Sequence, residues 1–186
     1  LIEYVILEAV NFGLYKLTDA RMSFYLSTLL LVYVYVMRFY WQNRKNRIRK
    51  NRLLIGAPAF FCILAVACQI FYIPTDARWQ KINSVLSGRL ELGCFGWRDY
   101  GFSLLGTKIE WIGFSHNATA GAYNYVDCSY MQILLENGLI PLVIIIAVYT
   151  YIMYMAVKEK DFYLQTAVLL ITAFSITEPR LLNLAY

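Results

Sequence analysis

The sequence has few of the residues that soluble enzymes use for metal binding and acid–base chemistry. It contains one histidine and four cysteines in 186 residues, and these do not cluster with the spacing of a metal site. A glycine-rich phosphate loop and a recognisable Ser/His/Asp arrangement are also missing. Charged residues make up only 16% of the chain, whereas hydrophobic residues make up 60%. This composition excludes an ordinary soluble domain and predicts a membrane chain.

The apolar residues occur in runs long enough to cross a bilayer. A spanning helix needs roughly 20 mostly apolar residues, and the segments that come close are 1–17, 22–41, 53–73, 130–156 and 162–178. We therefore expect an all-α integral membrane protein with about five transmembrane helices and an amphipathic helix on its outer face. Residues 1–186 would form a single membrane domain. Because the chain opens within an apolar stretch without a methionine, we also expect it to be a fragment of a larger polytopic protein.

The distribution of charge predicts how the chain is oriented. Residues 38–51 contain a run of Lys and Arg with no acidic neighbour, and short loops of this kind stay in the cytoplasm. The basic loop 42–52 is therefore predicted to be cytoplasmic, where anionic membrane lipid is a sufficient partner and nucleic acid is not needed. Alternation along the chain then places the turn 16–21, the long loop 74–129 and the end of the chain outside.

Arg89 stands out within the long outer loop. When residues 82–100 are treated as one helix at 100° per residue, Arg89 falls in the middle of an apolar stripe, whereas Arg98 falls on the polar face. Leaving a charge unpaired against apolar surface is costly. Arg89 is therefore predicted either to bind a substrate anion, to reach lipid headgroups, or to pair with a structural carboxylate.

Other charged residues are predicted to lie at the same outer interface. Arg21 lies in the first turn of the second span, where a cation opposes the helix dipole, so it is either part of an anion site or an interfacial anchor. Asp127 precedes the fourth span and is either a helix N-cap or a general base. Glu178 and Arg180 form either a helix stop with a local ion pair or part of the same site. His116 is either a solvated loop residue or a proton carrier.

The chain resembles the second half of a Wzy-type polysaccharide polymerase of the kind that serves capsule and exopolysaccharide clusters. The resemblance is carried by "INSVLSGRLELGCFGWRDYGFSLLGTKIEW", by "YNYVDCSYMQILLENGLI" and by the closing "ITEPRLLNLAY". "LTDAR" ahead of the second span resembles the Ser/Thr-x-x-Arg turn that these proteins share with O-antigen ligases. The position of Asp127 is similar to the place where related ligases carry a His in a His-Asn-x-x-Leu pattern, and this departure argues against a histidine-based mechanism.

The resemblance implies an integral-membrane glycosyltransferase of the bacterial cytoplasmic membrane that joins undecaprenyl-diphosphate-linked repeat units on the outer leaflet. Neither a nucleotide sugar nor a metal is implied, and the partners would be the lipid-linked glycan together with flippase and chain-length regulator proteins. Arg21 and Arg89 match the family's arginines, which would stabilise the departing diphosphate, while Asp127 would accept the proton of the attacking hydroxyl. Arg21, Arg89, Glu178 and Arg180 would bind substrate.

Three alternatives remain open at this point. The first is an O-antigen-ligase-like transferase, which passes glycan to a different acceptor. The second is a lipid or polysaccharide transporter, in which the arginines only hold an anionic substrate during passage. A transporter is expected to carry polar residues at the middle of its spans, and here the charges gather at one face. That placement favours chemistry at the surface. The third alternative is a structural role only, as a scaffold for an assembly complex.

Overall fold

The structure is all-helical within the residues that it describes. The computed structural model describes residues 2–18, 21–42, 52–112, 125–179 and 181, and no β-strand occurs in them, which confirms the predicted all-α class. A 3-10 segment, Arg52–Gly56, leads directly into α3. The α-helices are α1 (Ile2–Thr18), α2 (Arg21–Gln42), α3 (Ala57–Ile70), α4 (Ala77–Val85), α5 (Arg89–Tyr100), α6 (Ser129–Glu136), α7 (Leu139–Glu159) and α8 (Phe162–Phe174).

Helix α3 lies at the centre of the packing. It contacts α5, α6, α7 and α8, while α1 packs against α2 and α2 reaches α8. The short helix α6 is the most enclosed element, with Tyr130, Met131 and Leu135 almost completely buried. The core is therefore built around α6, between the apolar helices and the outer-loop helix α5.

Two helical segments of the described chain are long and apolar enough to span a membrane. They are Arg52–Ile70 and Leu139–Glu159, and only 22% and 17% of their most apolar windows are buried inside the protein. Shorter apolar stretches occur at Ser27–Val36 and Phe162–Phe174. A core helix of a soluble protein is mostly buried, so the exposed apolar faces here require cover by lipid or by other protein. The full set of five predicted spans stays a prediction.

The prediction of one continuous helix over residues 130–156 is wrong. The helix ends at Glu136 and restarts at Leu139, with Gly138 at a φ of 94° between them. The amides of Leu139 and Ile140 donate to the carbonyls of Ser103 and Leu104, at 3.1 Å each. These long-range bonds satisfy the N–H groups that a new helix start leaves open, so the segment that contains Ser103 and Leu104 stabilises the break.

The predicted helix over residues 82–100 is also broken into two. Helix α4 ends at Val85 and α5 begins at Arg89, because Ser87 and Gly88 between them adopt positive φ angles of 56° and 84°. Ile82 and Val85, which the same helical wheel places on the apolar stripe, are exposed. The break places Arg89 at the first position of a helix rather than in the middle of one.

Candidate functional site

Arg89 is held in place by the side chain of Asn83. The buried Asn83 Oδ1 accepts hydrogen bonds from the amides of Leu90 and Glu91, at 3.1 and 3.3 Å, and its Nδ2 donates to Glu91 Oε2 at 3.2 Å. Its backbone carbonyl also accepts from the Gly88 amide at 2.8 Å. Asn83 thus caps the start of α5 from the preceding helix, which fixes the backbone from which Arg89 projects.

Asp127 lies in extended chain just before α6. The N-cap residue of α6 is Cys128, and no side-chain hydrogen bond caps this helix. The interpretation of Asp127 as a helix cap is therefore not supported. Cys128 and Cys94 are both buried, and neither forms a disulfide. The carboxylate of Asp127 is left to interact with other parts of the chain.

Glu178 lies in the turn that follows α8, and Ser129 holds that turn against α6. The Ser129 hydroxyl donates to the Glu178 carbonyl at 2.5 Å and accepts from the Leu181 amide at 3.1 Å. The Ser129 amide donates to the Ser175 carbonyl at 3.0 Å. Residue Ser129 is itself buried. One serine therefore ties the segment after α8 to the segment that carries Asp127.

The structure brings Arg89, Asp127 and Glu178 together. Arg89 Nε lies 3.3 Å from Asp127 Oδ2, and Arg89 Nη2 lies 3.5 Å from Glu178 Oε1. The side chain of Arg89 is 20% exposed and each carboxylate side chain is 24% exposed. These three residues, which we call the outer charge cluster, come from parts of the sequence up to 89 positions apart. They are sheltered but remain open to a ligand.

The outer charge cluster has two features that bear on chemistry. It carries two carboxylates around one guanidinium, and Arg89 Nε is buried with no hydrogen-bond partner among the described residues, since its contact to Asp127 lacks hydrogen-bond geometry. Buried donors are normally satisfied. An anionic oxygen placed beside Nε would satisfy it.

Burial shifts the protonation equilibrium of Asp127. Desolvation raises the pKa of Asp127 above the ordinary value of an aspartate, and this effect outweighs the opposing influence of the Arg89 cation. A raised pKa makes a carboxylate a stronger base. The balance between burial and the neighbouring arginine thus favours proton acceptance at Asp127.

Some predicted site residues lie outside the described part of the chain. The backbone of Arg21 begins α2, but its side chain is outside that part, as are Arg180 and His116. Their predicted roles remain predictions. Within the described residues, no group of three His, Cys, Asp or Glu side chains has the arrangement of a metal site.

Sequence reasoning missed the residues that position the outer charge cluster. Ser129 and Asn83 act through single polar side chains within apolar surroundings, and periodicity gives no signal for such contacts. Gln69 is likewise a single polar side chain buried among apolar residues, in α3. A Cβ atom at Gly93 would lie 1.6 Å from the Oε1 atom of Gln69. Gly93 therefore permits the close approach of α5 to α3, and a glutamine within an apolar run was the only available hint.

Comparison with known proteins adds no assignment. No protein-family model, curated protein or solved structure matches the chain. The resemblance to Wzy-type polymerases therefore rests on the motifs alone.

Proposed function

We propose that this chain is the C-terminal part of an integral-membrane glycosyltransferase that polymerises undecaprenyl-diphosphate-linked oligosaccharide repeat units on the outer face of the bacterial cytoplasmic membrane. The observation that carries the proposal is the convergence of Arg89, Asp127 and Glu178 into one half-buried cluster. Three distant sequence positions that the motifs had singled out meet at one place. The apolar, largely uncovered helices Arg52–Ile70 and Leu139–Glu159 suit a location in a membrane.

The cluster lies at the end of the apolar helices that the charge bias predicts to be outside. Ser175, which follows α8, bonds the start of α6, and Gln69, near the end of α3, faces Gly93 of α5. The basic residues of 158–161 lie at the opposite end of α8. This arrangement supports chemistry between lipid-linked substrates at the outer headgroup level.

The proposed reaction is a sugar transfer from one lipid carrier to another. Asp127 accepts the proton of the attacking hydroxyl, the hydroxyl oxygen forms a bond to the anomeric carbon of the donor, and the bond from that carbon to the diphosphate oxygen breaks. The bonding electrons leave with undecaprenyl diphosphate, whose developing charge Arg89 stabilises.

Two carboxylates around one arginine suit this sequence of events. Before reaction they hold the guanidinium in position, at 3.3 and 3.5 Å. When Asp127 takes up a proton, its attraction for Arg89 falls, so the guanidinium becomes available to the phosphate oxygen as that oxygen gains charge. Glu178 keeps Arg89 oriented throughout, and Arg21 and Arg180 supply the further cations that a diphosphate requires.

The function is tested by deleting the full-length gene and analysing the lipid-linked products. We expect single repeat units on undecaprenyl diphosphate to accumulate outside the cytoplasm, and the wild-type gene to restore polymer. Polymer that accumulates on lipid would instead indicate a ligase. Repeat units retained on the cytoplasmic side would indicate a transporter.

A further inference from the structure

A cleft beside the outer charge cluster is lined by residues suited to a sugar. Its volume is about 210 Å³, and its lining includes Ser129, Gln132, Glu136, Asn137 and Pro179. Ser129 follows Asp127 by two positions and Pro179 directly follows Glu178. Ser129, which lines the cleft, also bonds the backbone carbonyl of Glu178, so the cleft adjoins the two segments that carry the carboxylates of the cluster.

The chemistry of the lining favours a neutral, hydroxyl-bearing ligand. Gln132 and Asn137 offer amide donors and acceptors, and Glu136 offers a carboxylate acceptor. Among the residues that the structure describes, those lining the cleft are polar or apolar and include no cation, so their chemistry matches sugar hydroxyls better than a diphosphate. The volume is below the ~300–1,000 Å³ of pockets for drug-sized ligands, which limits the ligand to a sugar or two rather than a whole repeat unit.

An aromatic side chain is fixed against one of the polar groups. Trp111 Nε1 donates to Glu136 Oε2 at 3.1 Å, and the Trp111 ring packs edge-on against Tyr100 and Tyr125, with ring centroids 6.1 and 6.0 Å away. The indole therefore fixes the Glu136 carboxylate, which lines the cleft together with the amides of Gln132 and Asn137 and gives polar groups for the hydroxyls of a pyranose.

We infer that this cleft is the subsite for the acceptor saccharide, where Gln132 and Glu136 hold the sugar whose hydroxyl is delivered to Asp127, and where Trp111 positions Glu136. The inference rests on the proposed function, which makes this sugar the acceptor. The attacking hydroxyl belongs to the end of a repeat unit that is remote from its own diphosphate, so a lining of amides and one carboxylate suits it. Glu136 and Asn137 lie at the break between α6 and α7. Because the helix does not continue through them, Glu136 can contact Trp111 of the 74–129 loop.

The inference is tested by direct binding of a saccharide without lipid or phosphate. The probe is the free oligosaccharide released by mild acid from the host's lipid-linked repeat units, and binding to the full-length protein in lipid nanodiscs is measured by saturation-transfer NMR. We expect a dissociation constant of ~1 mM for the wild-type protein. Gln132→Ala and Trp111→Phe should each weaken binding at least tenfold. Trp111→Phe retains an aromatic ring but loses the N–H that holds Glu136.

Controls separate this inference from the proposed function. Gln80→Ala, at an exposed glutamine of α4, should bind like the wild type, and Arg89→Lys should keep saccharide binding while losing polymer formation. The acceptor subsite would be overturned if Gln132→Ala and Trp111→Phe both bound the saccharide as tightly as the wild type. It would also be overturned if the wild type showed no binding at a saccharide concentration ten times the expected dissociation constant. Either result would leave the polymerase proposal standing. A different result would overturn the polymerase proposal instead: the wild-type protein makes no polymer but binds the saccharide, and the cleft variants weaken that binding. The sugar site would then be retained.

Discussion

Arg89→Lys is expected to reduce polymer formation strongly, because arginine uses two different nitrogens in the cluster. Nε faces Asp127 at 3.3 Å and Nη2 faces Glu178 at 3.5 Å, whereas a lysine ammonium offers a single nitrogen and keeps at most one of these contacts. A hydrogen bond that involves charged groups, such as the one proposed between the oriented guanidinium and the departing diphosphate, is worth about 1.5–3 kcal/mol. Loss of one at the transition state therefore lowers the rate roughly 10- to 150-fold, at about 1.36 kcal/mol for each factor of ten.

The assay is polymer formation by membranes that contain the full-length variant and receive lipid-linked repeat units. Arg98→Lys is the matched control, since Arg98 lies on the same helix as Arg89 but is exposed. We expect Arg98→Lys to retain wild-type activity. Equal rates for the two variants at equal expression would refute the assignment of Arg89 to the site.

Three further predictions concern Ser129, the pKa of Asp127 and the membrane topology. Ser129→Ala leaves the Glu178 carbonyl and the Leu181 amide without their partner and should lower the free energy of unfolding by about 2 kcal/mol. Thermal unfolding measures this, with Ser84→Ala at an exposed serine as the control that should unfold like the wild type. Equal unfolding midpoints for the two variants would contradict the prediction. Because the pKa of Asp127 is raised, kcat/KM should fall on the acidic side of its pH profile at a pH above ~3.9, the pKa of an ordinary aspartate. If Asp127→Asn keeps the same acidic fall in kcat/KM, Asp127 is excluded as the base. An impermeant thiol reagent applied to intact cells should label a cysteine at position 108 but not at position 47, and the reverse pattern would overturn the topology.

The same shift of Asp127 predicts the sign of a change in stability with pH. Because its pKa is higher in the folded than in the unfolded protein, the folded state binds the extra proton. The stabilisation is complete below the unfolded pKa and is lost as pH rises through the folded pKa. Thermal unfolding should therefore show a stability contribution that decreases across this interval in the wild type, and an Asp127→Asn variant should lack it.

Sequence reasoning predicted the helical class, and it placed Arg89, Asp127 and Glu178 at one outer interface together with Arg21 and Arg180. The structure confirms the class and brings the first three together. Both predictions depend on features that composition records well, because the lengths of apolar runs and the position of basic loops predict the depth at which each charged residue lies. Residues at one depth have a good chance of meeting even when they are far apart in sequence.

The breaks within the predicted helices could not be obtained in this way. Hydrophobic periodicity is averaged over a window of residues, so it does not detect a break that depends on single residues. Ser87, Gly88 and Gly138 have positive φ angles, and a helix cannot continue through this backbone conformation. The break at Gly138 also depends on carbonyls of Ser103 and Leu104, which belong to a distant segment. The contacts of Ser129 and Asn83 are likewise tertiary, so they appear only once the chain is folded.

The decisive measurement is made with the purified full-length protein in proteoliposomes that contain only lipid-linked repeat units. The account predicts a ladder of polymers, with one undecaprenyl diphosphate released for each bond formed, from the wild type and from Asp99→Asn and His116→Ala. Asp127→Asn should bind the substrate but produce no ladder. A wild-type protein that moves repeat units across the bilayer without forming a glycosidic bond, or an Asp127→Asn variant that makes the full ladder, would contradict the account.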